Sequence, residues 1–199
     1  MRRIRVMAHV SLDGVIAPGG PNDESEYSNG GWTAPFRTPE GRAAVVEVHG
    51  TNFDLLLGRR TYDLWSNYWP KAPKSPISDG LNAATKYVAT HRPESLDWGP
   101  VTDLGADILE GVRGIRSEAG RDLIVWGSST LTSVLFEHGL VDDVVLLVYP
   151  VLLGQGKRFF SDLVDPRELS FVSTKGTSTG VLLNTYRYVG PLQAPPRQA

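Results

Sequence analysis

The 199-residue chain has no cysteine, so neither a disulfide framework nor a thiolate metal site is open to it. It has no strong excess of charge either. A formal net charge of −2 creates no field that would gather nucleic acid or an anionic membrane surface. No stretch approaches the roughly 18 apolar residues needed to span a bilayer, and the opening "MRRIRVMAHV" is too short an apolar run for a signal peptide. The four histidines lack metal-ligand spacing, and His49 and His138 read as ordinary helix residues. The dinucleotide fingerprint Gly-x-Gly-x-x-Gly is missing after the first strand, and "GQGKRF" (Gly154 to Phe159) matches too little of it. These absences leave a cytoplasmic protein, without nucleic-acid or membrane partners, acting on a small molecule.

What is present is a hydrophobic content of 41% in a length suited to one compact domain, expected over residues 1–190 with a tail at 191–199. "IRVMAHV" (Ile4 to Val10) is β-branched and roughly alternating, and "SLDG" turns it. From Ala17 to Pro39 the chain is dense in Gly, Pro, Ser and Asn yet carries Trp32 and Phe36, a composition suited to a lid or binding loop. "PEGRAAVVEVHG" reads as a helix with proline in its first turn and glycine at its end. "FDLLLG" (Phe53 to Gly58) follows as a buried strand. Thr61 is expected to cap the next helix, whose Tyr62, Trp65 and Trp69 share a face and which stops before Pro70.

"KYVATHRP" (Lys86 to Pro93) predicts a strand entering a polar loop, and "DLGADILEGVRGIRSEAG" a helix weakened by internal glycines. "RDLIVWGSSTLTSVLFEHG" predicts a strand from Leu123 to Trp126, a turn, and a helix closed by Gly139. "VDDVVLLVYPVLLG" is apolar throughout, as strands buried on both faces are. "ELSFVSTKGTSTGVLLNTYRYV" predicts an antiparallel hairpin. Strands alternating with helices and finished by a hairpin indicate an α/β domain with a mainly parallel sheet.

In such sheets ligands collect beyond the carboxyl ends of the strands, where loops lead into helix N-termini. Three loops qualify. Gly58, Arg59, Arg60 and Thr61 offer a close backbone approach, a positive helix end and two guanidiniums able to fork onto phosphate oxygens. Gly127, Ser128, Ser129, Thr130 and Leu131 lead a second strand into a second helix with little bulk. Thr90, His91 and Arg92 bring a hydroxyl, an imidazole and another guanidinium to the same rim. Together they suit a ligand with two separated anionic groups. Plainer readings stand beside this one: Gly-Arg-Arg-Thr is also an ordinary polar strand exit, with Asp63 diluting its positive field, and Gly-Ser-Ser-Thr is also a helix cap. The latter is not the Gly-x-Ser-x-Gly elbow of hydrolases, since Thr130 and Leu131 stand where the second glycine belongs.

The stretches "VSLDGVIA", "LLLGRRTYDLW", "YVATHRP", "LIVWGSSTL" and "HGLVDDVVLLVYPVLLGQGKRFF" occur in the order and spacing of the dihydrofolate reductase-like superfamily. Within it, the chain resembles the branch related to the C-terminal reductase domain of the riboflavin-biosynthesis deaminase/reductase, RibD, from about Arg3 to Tyr188. The resemblance implies a three-layer α/β fold with helices on both faces of a mainly parallel sheet, NADPH as cofactor, and often a homodimer. By position it implies that Gly58, Arg59, Arg60 and Thr61 hold the pyrophosphate and 2′-phosphate of NADPH and that Thr90, His91 and Arg92 flank its adenosine end. Gly127 to Leu131 would support the second phosphate and ribose, and Ala8, His9 and Ile16 would lie against the nicotinamide.

The chain departs from the family at informative places. Ser128 replaces the second glycine of the usual Gly-Gly turn, Met7 stands where the riboflavin reductases carry a lysine, and the aromatic "LWSNYWP" replaces their substrate-phosphate segment. The region after Trp32 offers Arg37 and Glu40 but no counterpart to the buried carboxylate of the folate enzymes. Riboflavin synthesis and folate reduction are therefore both disfavoured. For the proton that accompanies hydride transfer, Asp13 sits where the first strand leaves the sheet and Tyr149 where the apolar strand meets Pro150. Asp-Gly is equally a favoured turn pair. Trp32, Phe36, Trp65 and Trp69 are candidate walls for a flat heterocycle, and helix aromatics at this spacing are also common core. The expectation is an NADPH-dependent reductase of a small, planar, pterin- or pyrimidine-like or carbonyl substrate. The alternatives are a non-catalytic nucleotide-binding protein of the same fold and, more remotely, a hydrolase acting through Ser128 or Ser129.

Overall fold

The structure, a computed structural model, describes residues 1–16, 31–160 and 165–193. In chain order the strands are β1 (Ile4–Ser11), β2 (Phe53–Gly58), β3 (Lys86–Ala89), β4 (Val101–Asp103), β5 (Asp122–Trp126), β6 (Asp143–Tyr149), β7 (Arg167–Gly176) and β8 (Leu182–Pro191). The helices are α1 (Pro39–His49), α2 (Arg59–Tyr68), α3 (Pro76–Ala83), α4 (Ile108–Ser117) and α5 (Ser129–Glu137). All eight strands join one sheet in the order β4-β3-β2-β5-β1-β6-β8-β7. The first six run parallel, and the β7–β8 hairpin adds to β6 antiparallel.

The layers follow from the period of two along each strand. Ile4, Val6, Ala8 and Val10 of β1 face Val112 and Ile115 of α4 and Leu131, Leu135 and Phe136 of α5. Met7 faces the other way, into the core shared with Ala44 of α1, Tyr62 of α2 and Leu81 of α3. Because helices cover both sides, every residue of β2 is buried, which is why "FDLLLG" reads as a continuous apolar run rather than an alternating one. Among the described residues no helix is long and apolar enough to cross a membrane.

Several boundaries differ from the sequence expectation for physical reasons. Helix α2 begins at Arg59, not after Thr61, because Gly58 takes the extended N-cap position and leaves Thr61 inside the first turn. Trp69 lies past the end of α2, in a 3₁₀ turn (Trp69–Lys71) built around Pro70. Helix α3 and strand β4 were not anticipated, although Ser75 and Ser78 form a reciprocal capping box with Pro76 at the first position of α3. Helix α4 starts only at Ile108, where the Asp107 carboxylate accepts from the Glu110 N–H at 3.0 Å. Its Gly111 is a packing residue: a Cβ there would stand 2.2 Å from the Leu104 carbonyl oxygen. At the C-terminus β8 runs through Pro191, and residues 194–199 of the expected tail lie outside the described set. Of the expected loop, residues 17–30 lie outside it as well, and residues 31–38 contain a short 3₁₀ turn at Ala34–Phe36.

At the amino end of the parallel strands a buried ion pair joins β2 to the N-terminus. Arg2 donates to the Asp54 carboxylate and to the Arg121 carbonyl, and reaches the Tyr87 hydroxyl at 3.0 Å.

Candidate functional site

The carboxyl edge of the sheet opens at β1. Its ladder with β5 ends at the Met7–Trp126 pair, where the Gly127 N–H donates to the Met7 carbonyl at 2.9 Å, while its ladder with β6 continues to the Ser11–Tyr149 pair. From β1 the chain crosses to β2 on one side, and from β5 it crosses to β6 on the other. This is the switch point at which open α/β sheets form clefts.

Two helix N-termini meet beside the opening. The β2–α2 turn and the β5–α5 turn touch, since a Cβ on Gly58 would fall 2.2 Å from the Ser128 Oγ. No side chain caps either α2 or α5, so their first-turn N–H groups remain available to an anion, each at a helix end worth about half a positive charge. Gly127 and Ser128 are both left-handed, with φ of 56° and 55°. Glycine takes this conformation freely, whereas for a serine it costs roughly 1–2 kcal/mol, a strain that the surroundings must impose. The Ser129 Oγ is buried with no partner. On the outer rim of α5, Lys157 approaches the Thr130 Oγ1 at 3.4 Å.

The third loop is bonded to the first. Arg59 donates through Nε to Asp63 at 2.8 Å and through Nη1 to the Thr90 Oγ1 at 3.3 Å and the Arg92 carbonyl at 2.8 Å. Asp63 also receives Arg92 at 3.3 Å. The acid that weakens the positive field in sequence thus aligns two guanidiniums. Arg60 and His91 are exposed at this rim, and Thr90 is buried beneath it.

On the α1/α2 side of the opening lies an aromatic arc. Trp69 meets Trp65 at 5.8 Å, Trp65 meets Trp126 at 6.3 Å, and Trp126 stacks on His9 at 5.3 Å. Tyr149 closes the arc, edge-on to Trp32 at 5.1 Å and to Phe36 at 5.6 Å. The His9 Nδ1 and the Tyr149 hydroxyl are 2.8 Å apart. Burial, with Arg37 adding to it, pushes the His9 imidazole down to about 4. Burial pushes Tyr149 up to about 12 against the pull of Arg37. At neutral pH both are uncharged. Ala8 points to the opposite face of β1, and Ile16 folds back to bridge Val10, its N–H bonded to the Lys157 carbonyl at 3.0 Å.

Asp13 stands apart from this cluster. Its carboxylate accepts from the Ser11 hydroxyl at 2.5 Å and from the Leu153 and Gly154 N–H groups at 3.2 and 2.7 Å, bonds that hold it down at about 2. It ties the loop after β1 to the loop after β6.

The structure brings all four predicted aromatics to the arc and links the three predicted loops along one edge. Sequence reading passed over Trp126, hidden inside an apolar strand, and Lys157, whose "GQGKRF" run counted as a poor glycine fingerprint and as part of the family resemblance but not as a cation at the rim. Arg37 was noticed only as an unsuitable replacement for an acid. Each becomes relevant through contacts distant in sequence.

A doubly covered α/β sheet with an antiparallel C-terminal pair is the architecture of the dihydrofolate reductase-like proteins. The chain belongs to the RibD C-terminal domain family, whose model matches residues 2–183. It is 31% identical over 193 residues to the uncharacterized protein YyaP of Bacillus subtilis (strain 168), covering 95% of this chain and 96% of that one. A pyrimidine reductase-like protein from Corynebacterium diphtheriae superposes with a TM-score of 0.63 at 11% identity, covering 94% of this chain and 92% of the other. The dihydrofolate reductase of Enterococcus faecalis, complexed with NADP(H), superposes with a TM-score of 0.59 at 15% identity, covering 94% and 96%. At these identities the structural likenesses establish the shared fold.

Proposed function

We propose that the protein is an NADPH-dependent reductase of a small planar substrate, of pterin or pyrimidine type or carbonyl-bearing. The observation that carries this reading is the contact of Gly58 with Ser128, which sets two uncapped helix N-termini side by side at the mouth of the β1–β5 opening. The residues fit the cofactor: the buried Ser129 Oγ lacks a partner, the bare Gly58 lets the two turns approach, and Arg59, Thr90 and Arg92 form one bonded rim. In this reading Gly58 to Thr61 and Thr90 to Arg92 hold the phosphates and adenosine end, and Gly127 to Leu131 the second phosphate. The main chain at Ala8, His9 and Ile16 lies against the nicotinamide, which supplies a hydride when bound.

The chain's own groups then bind, shield and protonate. Trp32, Phe36, Trp65 and Trp69 wall the substrate and exclude water. Tyr149 is the candidate proton donor on geometry, its hydroxyl being held 2.8 Å from the His9 Nδ1 among the aromatics, although burial makes it a weaker acid than a free phenol. Asp13 remains a carboxylate and positions the loop. Its loss as an acid is also what favours the second reading, a nucleotide-binding protein without catalysis.

Titration with NADPH and NADH tests the cofactor assignment. NADPH is expected to bind at least ten-fold more tightly, with the preference lost when Arg59 and Arg60 are both replaced by Ala; equal or absent binding of the two nucleotides refutes it. Oxidation of NADPH across pterins, aminouracils, quinones and aldehydes then separates enzyme from binder, and silence across the panel favours the binder.

A further inference from the structure

Lys157 stands at the wrong end of a helix. Its Nζ reaches the Thr130 Oγ1, in the first turn of α5, at 3.4 Å. That end of a helix already carries a partial positive charge. The first turn of α5 contains no acidic residue, and the Ser128 side chain does not cap it. A cation there adds to the field of the helix instead of opposing it. In α2 the corresponding cations are Arg59 and Arg60, at its first two positions, and Asp63 one turn along holds Arg59 at 2.8 Å. Two helix ends of like sign, each with its cations, thus meet where Gly58 approaches Ser128.

The backbone fixes Lys157 in that place. Ile16 donates its N–H to the Lys157 carbonyl at 3.0 Å, and Phe159 donates its N–H to the Gly14 carbonyl at 2.9 Å, around an antiparallel bridge between Val15 and Arg158. Phe159 is buried in the core it shares with Leu131, Leu135 and Phe136 of α5. By the two-residue period of extended chain, Lys157 projects on the same side. Farther back, the Leu12 N–H donates to the Val151 carbonyl at 2.8 Å, and the Asp13 carboxylate accepts from the Leu153 and Gly154 N–H groups. The main chain of Lys157 is therefore bonded to Ile16 while its ammonium lies at the N-terminus of α5.

From this placement we infer that Lys157 binds the pyrophosphate of the nicotinamide nucleotide, which leaves Arg59 and Arg60 to read the 2′-phosphate. The inference rests on the cofactor assignment above and deepens it. In that assignment Ile16 lies against the nicotinamide, and the bonded rim of Arg59, Thr90 and Arg92 receives the adenosine end. The group that separates those two ends of a dinucleotide is the pyrophosphate. An ammonium is a compact point charge with rotatable donors and can serve oxygens of both phosphoryl groups, alongside the N–H groups of α5. Forked guanidiniums match the oxygens of a terminal phosphate. The pyrophosphate is common to NADH and NADPH, whereas the 2′-phosphate belongs to NADPH alone. Lys157 thus sets the affinity for either nucleotide, and the arginine pair sets the preference between them.

Titration of the full chain with NADPH and with NADH at pH 7.5 tests the division without turnover. Lys157→Gln is expected to raise both Kd values by one common factor, about five- to ten-fold at about 50 mM salt, with their ratio within about two-fold of wild type. The loss should shrink at about 0.5 M salt, where screening shortens the reach of the charge. Lys157→Arg, which keeps the charge, should recover most of the affinity. Replacing Arg59 and Arg60 by Ala should instead collapse the ratio. Lys157 is exposed, so the melting temperature of Lys157→Gln without nucleotide should stay within about 2 °C of wild type. If Lys157→Gln leaves both affinities unchanged, or weakens NADPH alone, the inference is overturned while the cofactor assignment stands. A larger fall in melting temperature with equal loss in Lys157→Arg would make Lys157 a structural tie and overturn it too. If neither nucleotide binds the wild-type protein, the cofactor assignment falls and the inference falls with it.

Discussion

A methyl group on Gly58 would stand 2.2 Å from the Ser128 Oγ and 3.4 Å from its Cβ. The conflict is with the hydroxyl alone, and that hydroxyl caps no helix N–H. Rotation of Ser128 can relieve it, so Gly58→Ala is expected to cost folding about 1 kcal/mol or less. The methyl nevertheless occupies the meeting point of two helix N-termini. NADPH affinity should fall at least ten-fold, and Ser128→Gly added to it should recover part of the loss. Melting curves and nucleotide titrations on the two single variants and the double variant check this; additivity of the two changes would show that the loops are not coupled.

Asp63 holds both Arg59 and Arg92. Arg59 keeps its bonds to Thr90 and to the Arg92 carbonyl if Asp63 is lost, so its position should survive while its positive charge is no longer offset. Asp63→Asn should therefore tighten NADPH binding two- to five-fold at about 20 mM salt, an advantage that fades above about 0.3 M as screening shortens the reach of the field. Weaker binding at low salt would mean that alignment by the carboxylate outweighs its charge.

His9 is half-buried and His49 buried, and desolvation is the main cause that holds each at about 4, below the ordinary 6.5. Between those values the unfolded chain takes up protons that the folded chain refuses. Stability is thus full above about pH 6.5 and declines as the pH falls toward 4, by on the order of 2–3 kcal/mol per histidine over the whole window. The His49 Nε2 accepts from the Trp126 Nε1 at 3.0 Å, so Gln is the replacement that retains an acceptor without titrating. Urea unfolding at pH 7.5, 5.5 and 4.5 should show a slope for His49→Gln reduced by roughly half; an unchanged slope would place the acid sensitivity elsewhere.

The Arg2–Asp54 pair is buried at the amino end of the sheet, far from the opening. Asp54→Ala leaves the guanidinium without its carboxylate and should cost about 3–5 kcal/mol of stability. Replacing both partners together, Arg2→Met with Asp54→Leu, should cost clearly less, because no buried charge is orphaned. Chemical denaturation of the variants decides it, and equal losses would argue that packing, not charge, is what the pair provides.

Much of this molecule is legible in its sequence because the information is local. Continuous apolar runs such as "FDLLLG" arise wherever helices cover both faces of a strand, and Gly50, Pro39 and Asp107 mark helix ends through backbone rules that act within a few residues. The three polar loops after β2, β3 and β5 were recognisable for the same reason: each is a strand exit with its own chemistry. Strand β4 was not, being three residues long and paired only through β3. The bonds that tie Asp13 to the loop after β6 were not legible, because Leu153 and Gly154 lie 140 and 141 residues away along the chain.

The amino-acid order thus determined by itself that strands and helices alternate, where most of them begin and end, and which loops carry anion-binding groups. These follow from backbone geometry and burial periodicity over a few residues. Only the tertiary structure decided that Gly58 touches Ser128, that one carboxylate aligns Arg59 and Arg92, and that His9, Trp126 and Tyr149 form one arc beside Arg37. Those relationships depend on which strands become neighbours when the sheet is wound, and that ordering is set by packing across the whole domain.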